Sequence, residues 1–457
     1  MKAYRTEKDT LGEVRVPETA LYGAQTQRAV ENFTLSHLKM PKSFILALAQ
    51  IKAAAAQTNA ELGMLTKEQA NAIIDAAKWI QSHYQSKDFP VDVFQTGSGT
   101  STNMNINEVL ASLVKQKTGM DLHPNDHINL SQSSNDVIPT AIHLSALHQL
   151  DSQLLPALQH LHTCCTRKAA EVAEIIKTGR THLMDAVPMR MEDEIKAWGV
   201  QIQQAKKRIE FIRSELMKLP QGGTAIGSGL NAPRGFSRRF CTHLSNMTTY
   251  HLTPPDSSFA AQACQDTALS LSGELKTSAT ALLKIAEDLR WMNSGPYSGL
   301  GEITLPVLQP GSSIMPGKVN PVIPEAIIMA VAQITGNDAS ITFCAQRGNF
   351  QLNTALPLIA YNLLQSLALL GNAATSLADK AIAGFTVNEK HIQDALLKNP
   401  ILVTALNPHI GYDAAAAIAK EAYASGRNLV DVAVEMTDIP REQLEELMNP
   451  ALMAQPY

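Results

Sequence analysis

The stretch GSSIMPGKVNP, positions 311–321, puts two hydroxyls (Ser312, Ser313), an ammonium (Lys318) and an amide (Asn320) on one turn between and beyond Gly311 and Gly317. The glycine–lysine pair invites comparison with a phosphate-binding loop. That loop needs four residues between its glycines and a Ser or Thr after the lysine. Here five residues separate Gly311 from Gly317, and Val319 follows Lys318. The segment is not a P-loop, so these groups are set out for another anion.

Three further segments are equally polar: TGSGTSTNMNINE at 96–108, HPNDHINLSQSSND at 123–136 and GRTHLMDAVP at 179–188. Together with the first they supply Ser98, Thr100, Asn103, Ser133, Ser134, Asn135 and Thr181, one imidazole (His182) and one lysine (Lys318). Carboxylates accept several hydrogen bonds each and are held more firmly by a cation, so the set suits a small, doubly anionic ligand. An apolar ligand would want an apolar lining. Each residue also has a structural reading. Ser98, Thr100 and Asn135 are good helix caps, and His123, Asp126 and His127 could cap or pair locally as readily as bind a metal. GGTAIGSG at 222–229 lacks the strand and βαβ setting of a dinucleotide loop.

The 457 residues are 45% hydrophobic and 18% charged, with a net charge of −4. No long basic block is present, which argues against nucleic acid or an anionic membrane as main partner. The first residues, MKAYRTEKDTLGEVRVP, lack the apolar core of a secretory signal, and no long uninterrupted apolar run suggests a membrane span. Five cysteines, without a Cys-x-x-Cys, fit a reduced cytoplasmic protein with no disulfide framework and no cysteine-bound metal.

Helical periodicity must position these segments. Between 191 and 219 the residues Ile195, Trp198, Ile202, Ala205, Ile209, Ile212, Leu216 and Leu219 recur every three or four positions, predicting a helix of about eight turns. Similar stripes cover 144–176, with a kink at Pro156, and 260–292, 325–344 and 356–383. Shorter helices are predicted at 42–62, 67–83, 389–398, 412–425 and 441–448. Strand patterns are scarce, and the best short candidate is GEITLP at 301–306. The expected fold is all-α, with an N-terminal domain (1–139), a central long-helix bundle (140–388) and a small C-terminal helical domain (389–457).

The residues closely resemble the fumarase/aspartase superfamily, whose signature Gly-Ser-Ser-x-Met-Pro-x-Lys-x-Asn-x-x-x-x-Glu reads GSSIMPGKVNPVIPE here, ending at Glu325. The likeness runs from YGAQTQRAVENF at 22–33 to TALNPHIGYD at 404–413, essentially the whole chain. Thr181-His182 and HPND followed by SQSSND are similar to class II fumarases; aspartases typically carry Thr-Gln in the second region. The resemblance implies reversible hydration of fumarate to L-malate, a citric acid cycle reaction, without metal or other cofactor. It also implies a homotetramer in which each active site takes segments from three subunits.

On the same resemblance Ser312 is the base, His182 the proton shuttle acting through water, and Glu325 the partner of His182. Ser98, Gly99, Thr100, Asn103, Ser133, Ser134, Asn135, Thr181, Ser313, Lys318, Val319 and Asn320 bind substrate. His123, Pro124, Asn125 and Asp126 are similar to a second, peripheral carboxylate site. Two positions depart from the family pattern: Met120, where some members have a basic residue, and Tyr297, where Arg is commoner. The alternatives are an aspartate ammonia-lyase, a fumarase of broadened substrate range, and a recruited structural protein of the crystallin kind.

Overall fold

A computed structural model describes residues 3–455 and is dominated by long helices. Two compact units divide the chain. One takes the chain up to Pro156 with Ala205–Ala279 and Val331–Gly371; the other takes Ala157–Gln204, Thr280–Ala330 and the chain from Asn372 onward.

In the first unit the helix Lys42–Glu61 is the element around which others pack. Phe44, Ile45, Leu48, Ile51 and the run Ala53–Ala56 are buried. It packs against the helices Lys67–His83, Ser134–Gln149 and Phe236–Met247. Alanine has no long side chain to keep neighbours apart, so several helices can approach one helix closely. The helix Thr100–Thr118 follows, started by Gly99 at φ 75° and stopped by Gly119 at φ 76°. Only glycine takes this left-handed conformation at little cost.

The amides of that helix are not all available to a ligand. Asn105 donates to the Asp88 carbonyl at 2.9 Å. The buried Glu108 carboxylate accepts the backbone N–H groups of Gly23, Gln25 and Thr26. Polar residues in this helix thus have structural uses of their own. Buried polar groups must find partners, and in this helix several partners are the neighbouring backbone.

The helices Val322–Ala345 and Leu356–Ile382 are long and apolar enough, by length and composition, to cross a membrane. In the first unit they carry polar ties typical of bundle helices. Asn337 donates to Gln365 at 2.9 Å and to Ser366 at 3.0 Å, and Ser272 donates to the buried Asp338 at 2.8 Å.

In the second unit the strands Ile176–Thr181 and Met184–Arg190 form an antiparallel hairpin. Near the C-terminus a separate apolar core gathers Leu402, Leu406, Ile418, Val432 and Leu444.

Several predicted boundaries move. The helix predicted over 144–176 is really Ser134–Gln149 and Leu155–Glu171, joined by a π-helical turn, Leu150–Leu154. Pro156 has no N–H and would clash with the carbonyl four residues back in a continuous α-helix; the wider turn precedes it. Ile176 belongs to a strand. The stripe at 260–292 splits at Cys264 into Ser258–Ala263 and Asp266–Met292, and that at 356–383 ends as α-helix at Leu377. Of 301–306 only Ile303–Thr304 pairs as strand, with Thr386–Val387. The hairpin Tyr4–Asp9 with Gly12–Pro17 was not anticipated. In Tyr4–Asp9 the residues alternate between exposed and half-buried without an apolar half; in Gly12–Pro17 only Val14 and the buried Val16 supply one, too short a pattern to stand out.

His143 gives this fold a titration signature. Burial pulls its pKa down to about 4, while Nδ1 stays 3.0 Å from the Lys218 carbonyl. The unfolded imidazole titrates near 6.5, so between these values the folded protein binds fewer protons than the unfolded chain. Stability therefore falls as pH drops from about 6.5 to about 4, by at most about 3 kcal/mol from this group. Melting curves across that window should show the loss, and His143→Gln should flatten it.

Candidate active site

Sequence neighbours build the first cluster. Ser98 and Thr100 stand at the entry to the helix Thr100–Thr118, and Ser133 and Ser134 at the entry to Ser134–Gln149. Thr100 Oγ1 lies 2.8 Å from Ser98 Oγ and 2.7 Å from Ser134 Oγ, so three of the predicted hydroxyls form one row. Gly99 is needed there twice over: its φ is positive, and a Cβ would press on Ile138 at 2.8 Å. Asn103 is buried and donates to Asn129 Oδ1 at 3.1 Å.

Ser133 and Asn135 have structural work as well. Ser133 caps its helix reciprocally with Asp136, and Asn135 Nδ2 donates to the Ala225 carbonyl at 2.8 Å. Asp136 is fully buried and accepts from the backbone N–H groups of Ser133, Gly222 and Thr224, each at 2.9 Å. The 222–229 glycine stretch is thus pinned by a carboxylate. Burial pushes Asp136 up to about 6 despite those hydrogen bonds and Lys52.

The HPND stretch follows its local reading. Pro124 opens a short π-helical turn whose cap is His123. His123 Nδ1 accepts the Asp126 N–H at 3.2 Å and sits 3.2 Å from Asp126 Oδ2, while His127 Nδ1 accepts the His123 N–H at 2.9 Å. Asn125 is exposed. Among the described residues no group of three His, Cys, Asp or Glu is placed to hold a metal ion.

In the second unit the 311–320 loop closes on itself. The Ser312 N–H donates to the Lys318 carbonyl at 3.1 Å, and the Lys318 N–H to the Met315 carbonyl at 3.2 Å. Ser312 Oγ accepts the Ile314 N–H at 3.3 Å. A Cβ on Gly311 would sit 1.4 Å from the Lys318 carbonyl oxygen, so only glycine permits this closure; Gly317 has φ 83°. Ser313 and Lys318 are exposed. Lys318, Val319, Asn320 and Glu325 line one cleft of about 340 Å³, with Glu325 in the first turn of the helix Val322–Ala345.

His182 sits elsewhere in that unit, at the tip of the hairpin, and lines a cavity of about 410 Å³ with Arg180, Leu183 and Trp291. Thr181 and Met184 close the hairpin, and His182 and Leu183 both hold positive φ, 55° and 60°. Two left-handed residues make the tight turn that suits twisted strands, but usually with Asn or Gly. His182 is exposed and makes no hydrogen bond to Ser312 or Glu325.

Behind the hairpin stands a buried charge cluster that the sequence reading missed. Lys177 lies 2.9 Å from Glu194 and 2.7 Å from Glu302, and Arg180 lies 2.8 Å from Glu302. The one visible signal was a lysine and an arginine spaced three apart in IKTGRT, and the two residues between them, Thr178 and Gly179, are buried in the structure.

The comparisons with known proteins bear on the whole chain. A family model described as "Lyase" matches residues 12–336, and one described as "Fumarase C C-terminus" matches residues 402–455. A class II fumarate hydratase of Pseudomonas aeruginosa is 54% identical over 98% of this chain and 97% of its own. The chain belongs to the class II fumarate hydratase family. A second member, from Xylella fastidiosa, is 52% identical over 99% of this chain and 96% of its own. The crystal structure of the class II fumarase from Schistosoma mansoni superposes with a TM-score of 0.96 at 39% identity, covering 99% of both chains. The all-α, fumarase-like fold expected from the sequence is the one observed.

In this family member the charge cluster tests how the hairpin is held. Removing one partner of a buried ion pair typically costs about 3–5 kcal/mol because the other charge is stranded. Glu302→Ala should therefore lower the melting temperature by several degrees, while Glu302→Gln should cost less. A melt within a degree of the parent for Glu302→Ala would deny the cluster an anchoring role.

Proposed function

We propose that this chain adds water reversibly to fumarate, giving L-malate, through a carbanion intermediate. The observation that carries the reading is the 311–320 turn. It holds the Ser312 hydroxyl on a backbone N–H and presents Lys318 and Asn320 beside Glu325 in one cleft. Close full-length similarity to named fumarate hydratases supports the substrate.

Removing the proton next to a carboxylate builds a dianionic aci-carboxylate, which fixed donors and positive charge must stabilise. In this account Lys318 and Asn320, with Ser313 and the backbone at Val319, hold that carboxylate, and Ser312 takes the proton. A serine is a weak base unless its alkoxide is stabilised; the Ile314 N–H and the Lys318 charge serve that end. His182, oriented by Glu325, delivers a proton through water to the departing hydroxyl, a task suited to imidazole. Ser98, Gly99, Thr100, Asn103, Ser133, Ser134, Asn135 and Thr181 hold the substrate. His123, Pro124, Asn125 and Asp126 form a peripheral carboxylate site, and the reaction needs no cofactor.

Because the chain forms no hydrogen bond among Ser312, His182 and Glu325, we assign each complete site to several copies. The assembly is a homotetramer, with three subunits contributing to each site. Exposed apolar residues along the long helices support this: Phe211 is 78% exposed, Met329 68% and Phe343 67%. Large apolar side chains set at intervals along one helix are what a subunit interface covers. We place the enzyme in the cytoplasm, where its five unpaired thiols would stay reduced.

Two experiments follow. Ser312→Ala should cut turnover by a factor of about a hundred or more, within the range of general acid–base effects, yet still bind a dicarboxylate inhibitor. Lys318→Ala should weaken that binding as well. Near-normal turnover in either variant contradicts its assignment. Mixing inactive Ser312→Ala with inactive His182→Asn and reassembling the subunits should restore part of the activity. Absence of any recovery in confirmed mixed oligomers would place both groups on one chain.

A further inference from the structure

The helix Lys42–Glu61 buries a lysine in the middle of the sequence ILALAQIKAAAA. Lys52 is fully inaccessible. Its ammonium has three N–H donors, and among the described residues it makes one hydrogen bond, to Asn129 Oδ1 at 2.8 Å. That oxygen also accepts from Asn103 at 3.1 Å and from Asn107 at 3.3 Å. Three donors, one of them charged, thus converge on a single neutral oxygen. Asn129 is itself only half-buried, and its Nδ2 donates to the Gln132 carbonyl at 3.2 Å.

No carboxylate completes this arrangement. Asp136 is the charged group that acts on Lys52, but its oxygens already accept three backbone N–H groups, and no hydrogen bond joins the two. Burial pulls Lys52 down to about 7, with Asp136 opposing it. Asn103 Oδ1 is also buried without a partner. A buried ammonium with unused donors and a buried amide with an unused acceptor are costly to keep. The poorly compensated ammonium, linked through Asn129 to Asn103 one turn along the helix from Thr100, points to an anion nearby, whereas the Asn103 oxygen, an acceptor, calls for a donor such as water.

We propose that Lys52 is a positioning residue for carboxylate recognition. Through Asn129 it fixes the amide of Asn103, and its buried charge supplies the counter-charge that the neutral hydroxyls and amides of this cluster lack. The inference rests on the reading above that the cluster takes a substrate carboxylate, and it adds a residue that touches no substrate itself. The cluster's neutral donors give direction and selectivity; Lys52, when protonated, gives an attraction that acts through a low-dielectric interior and is offset in part by the Asp136 carboxylate.

Lys52→Met keeps the length of the side chain and removes the charge and the hydrogen bond. The variant loses a desolvated charge but leaves the buried Asp136 carboxylate without the cation that acts on it, so its melt is measured first to establish that it folds. Its KM for fumarate should rise tenfold or more, with kcat changed less than threefold, and succinate should weaken as an inhibitor by the same factor as KM. Asn129→Asp provides a second test: it keeps an acceptor for Lys52 but cancels the charge, and should raise KM similarly. If Lys52→Met does not fold, Asn129→Asp decides alone.

A folded Lys52→Met with KM within twofold of the parent, or with kcat reduced and KM unmoved, overturns the inference. So does an unmoved KM in Asn129→Asp. Thr100→Val, measured alongside, separates the two levels. A raised KM there, with none in Lys52→Met, rejects Lys52 alone. No change in Thr100→Val rejects the carboxylate reading of the cluster and this inference with it.

Discussion

A buried carboxylate that accepts three backbone hydrogen bonds is the constraint on which the polar architecture of the first unit depends. Asp136 closes the capping box of the helix Ser134–Gln149 and pins the backbone at Gly222 and Thr224. In doing so it fixes where Ser133, Ser134 and Asn135 stand relative to the glycine-rich stretch. A neutral side chain would satisfy fewer of the three N–H groups, and each unsatisfied one costs about 1–3 kcal/mol. The ionised form is resisted by burial, which is why its pKa rises to about 6 even so.

The second unit uses the same device with the sign of the surroundings reversed. Glu302 sits between Lys177 and Arg180, so a carboxylate grips the strand that ends in Thr181 and His182. The exposed residues of the hairpin tip can then hold a left-handed turn without the strand moving. In both units the groups proposed to meet substrate are short, neutral or solvent-facing. The groups that hold them are charged and buried. This division suits a reaction whose ligand brings its own two charges: the protein needs many oriented donors, and a few cations placed where charge accumulates.

Much of this was legible in the sequence. The helical stripe through Ile195, Trp198, Ile202 and Ile209 is buried as its spacing requires, and the GSSIMPGKVNP turn announced itself by glycines whose backbone geometry admits no other residue. The hairpins were not legible, because IKTGRT and YRTEKD lack an alternating apolar face. The buried anchors were invisible for a different reason. Lys52, Asp136 and Glu302 differ from surface charges only in what surrounds them, and those partners lie far away in the chain. Nor could sequence alone distinguish amides that serve the backbone, such as Asn105, from Asn103, whose carbonyl oxygen stays unpaired.

The account stands or falls on the reaction itself. The most direct measurement is to incubate the protein with fumarate in D2O, with and without ammonium, and identify the product by proton NMR. The account predicts malate, formed without ammonium and carrying a single deuterium on the methylene carbon. Aspartate formed only when ammonium is present, or fumarate left unchanged in both samples, would contradict it.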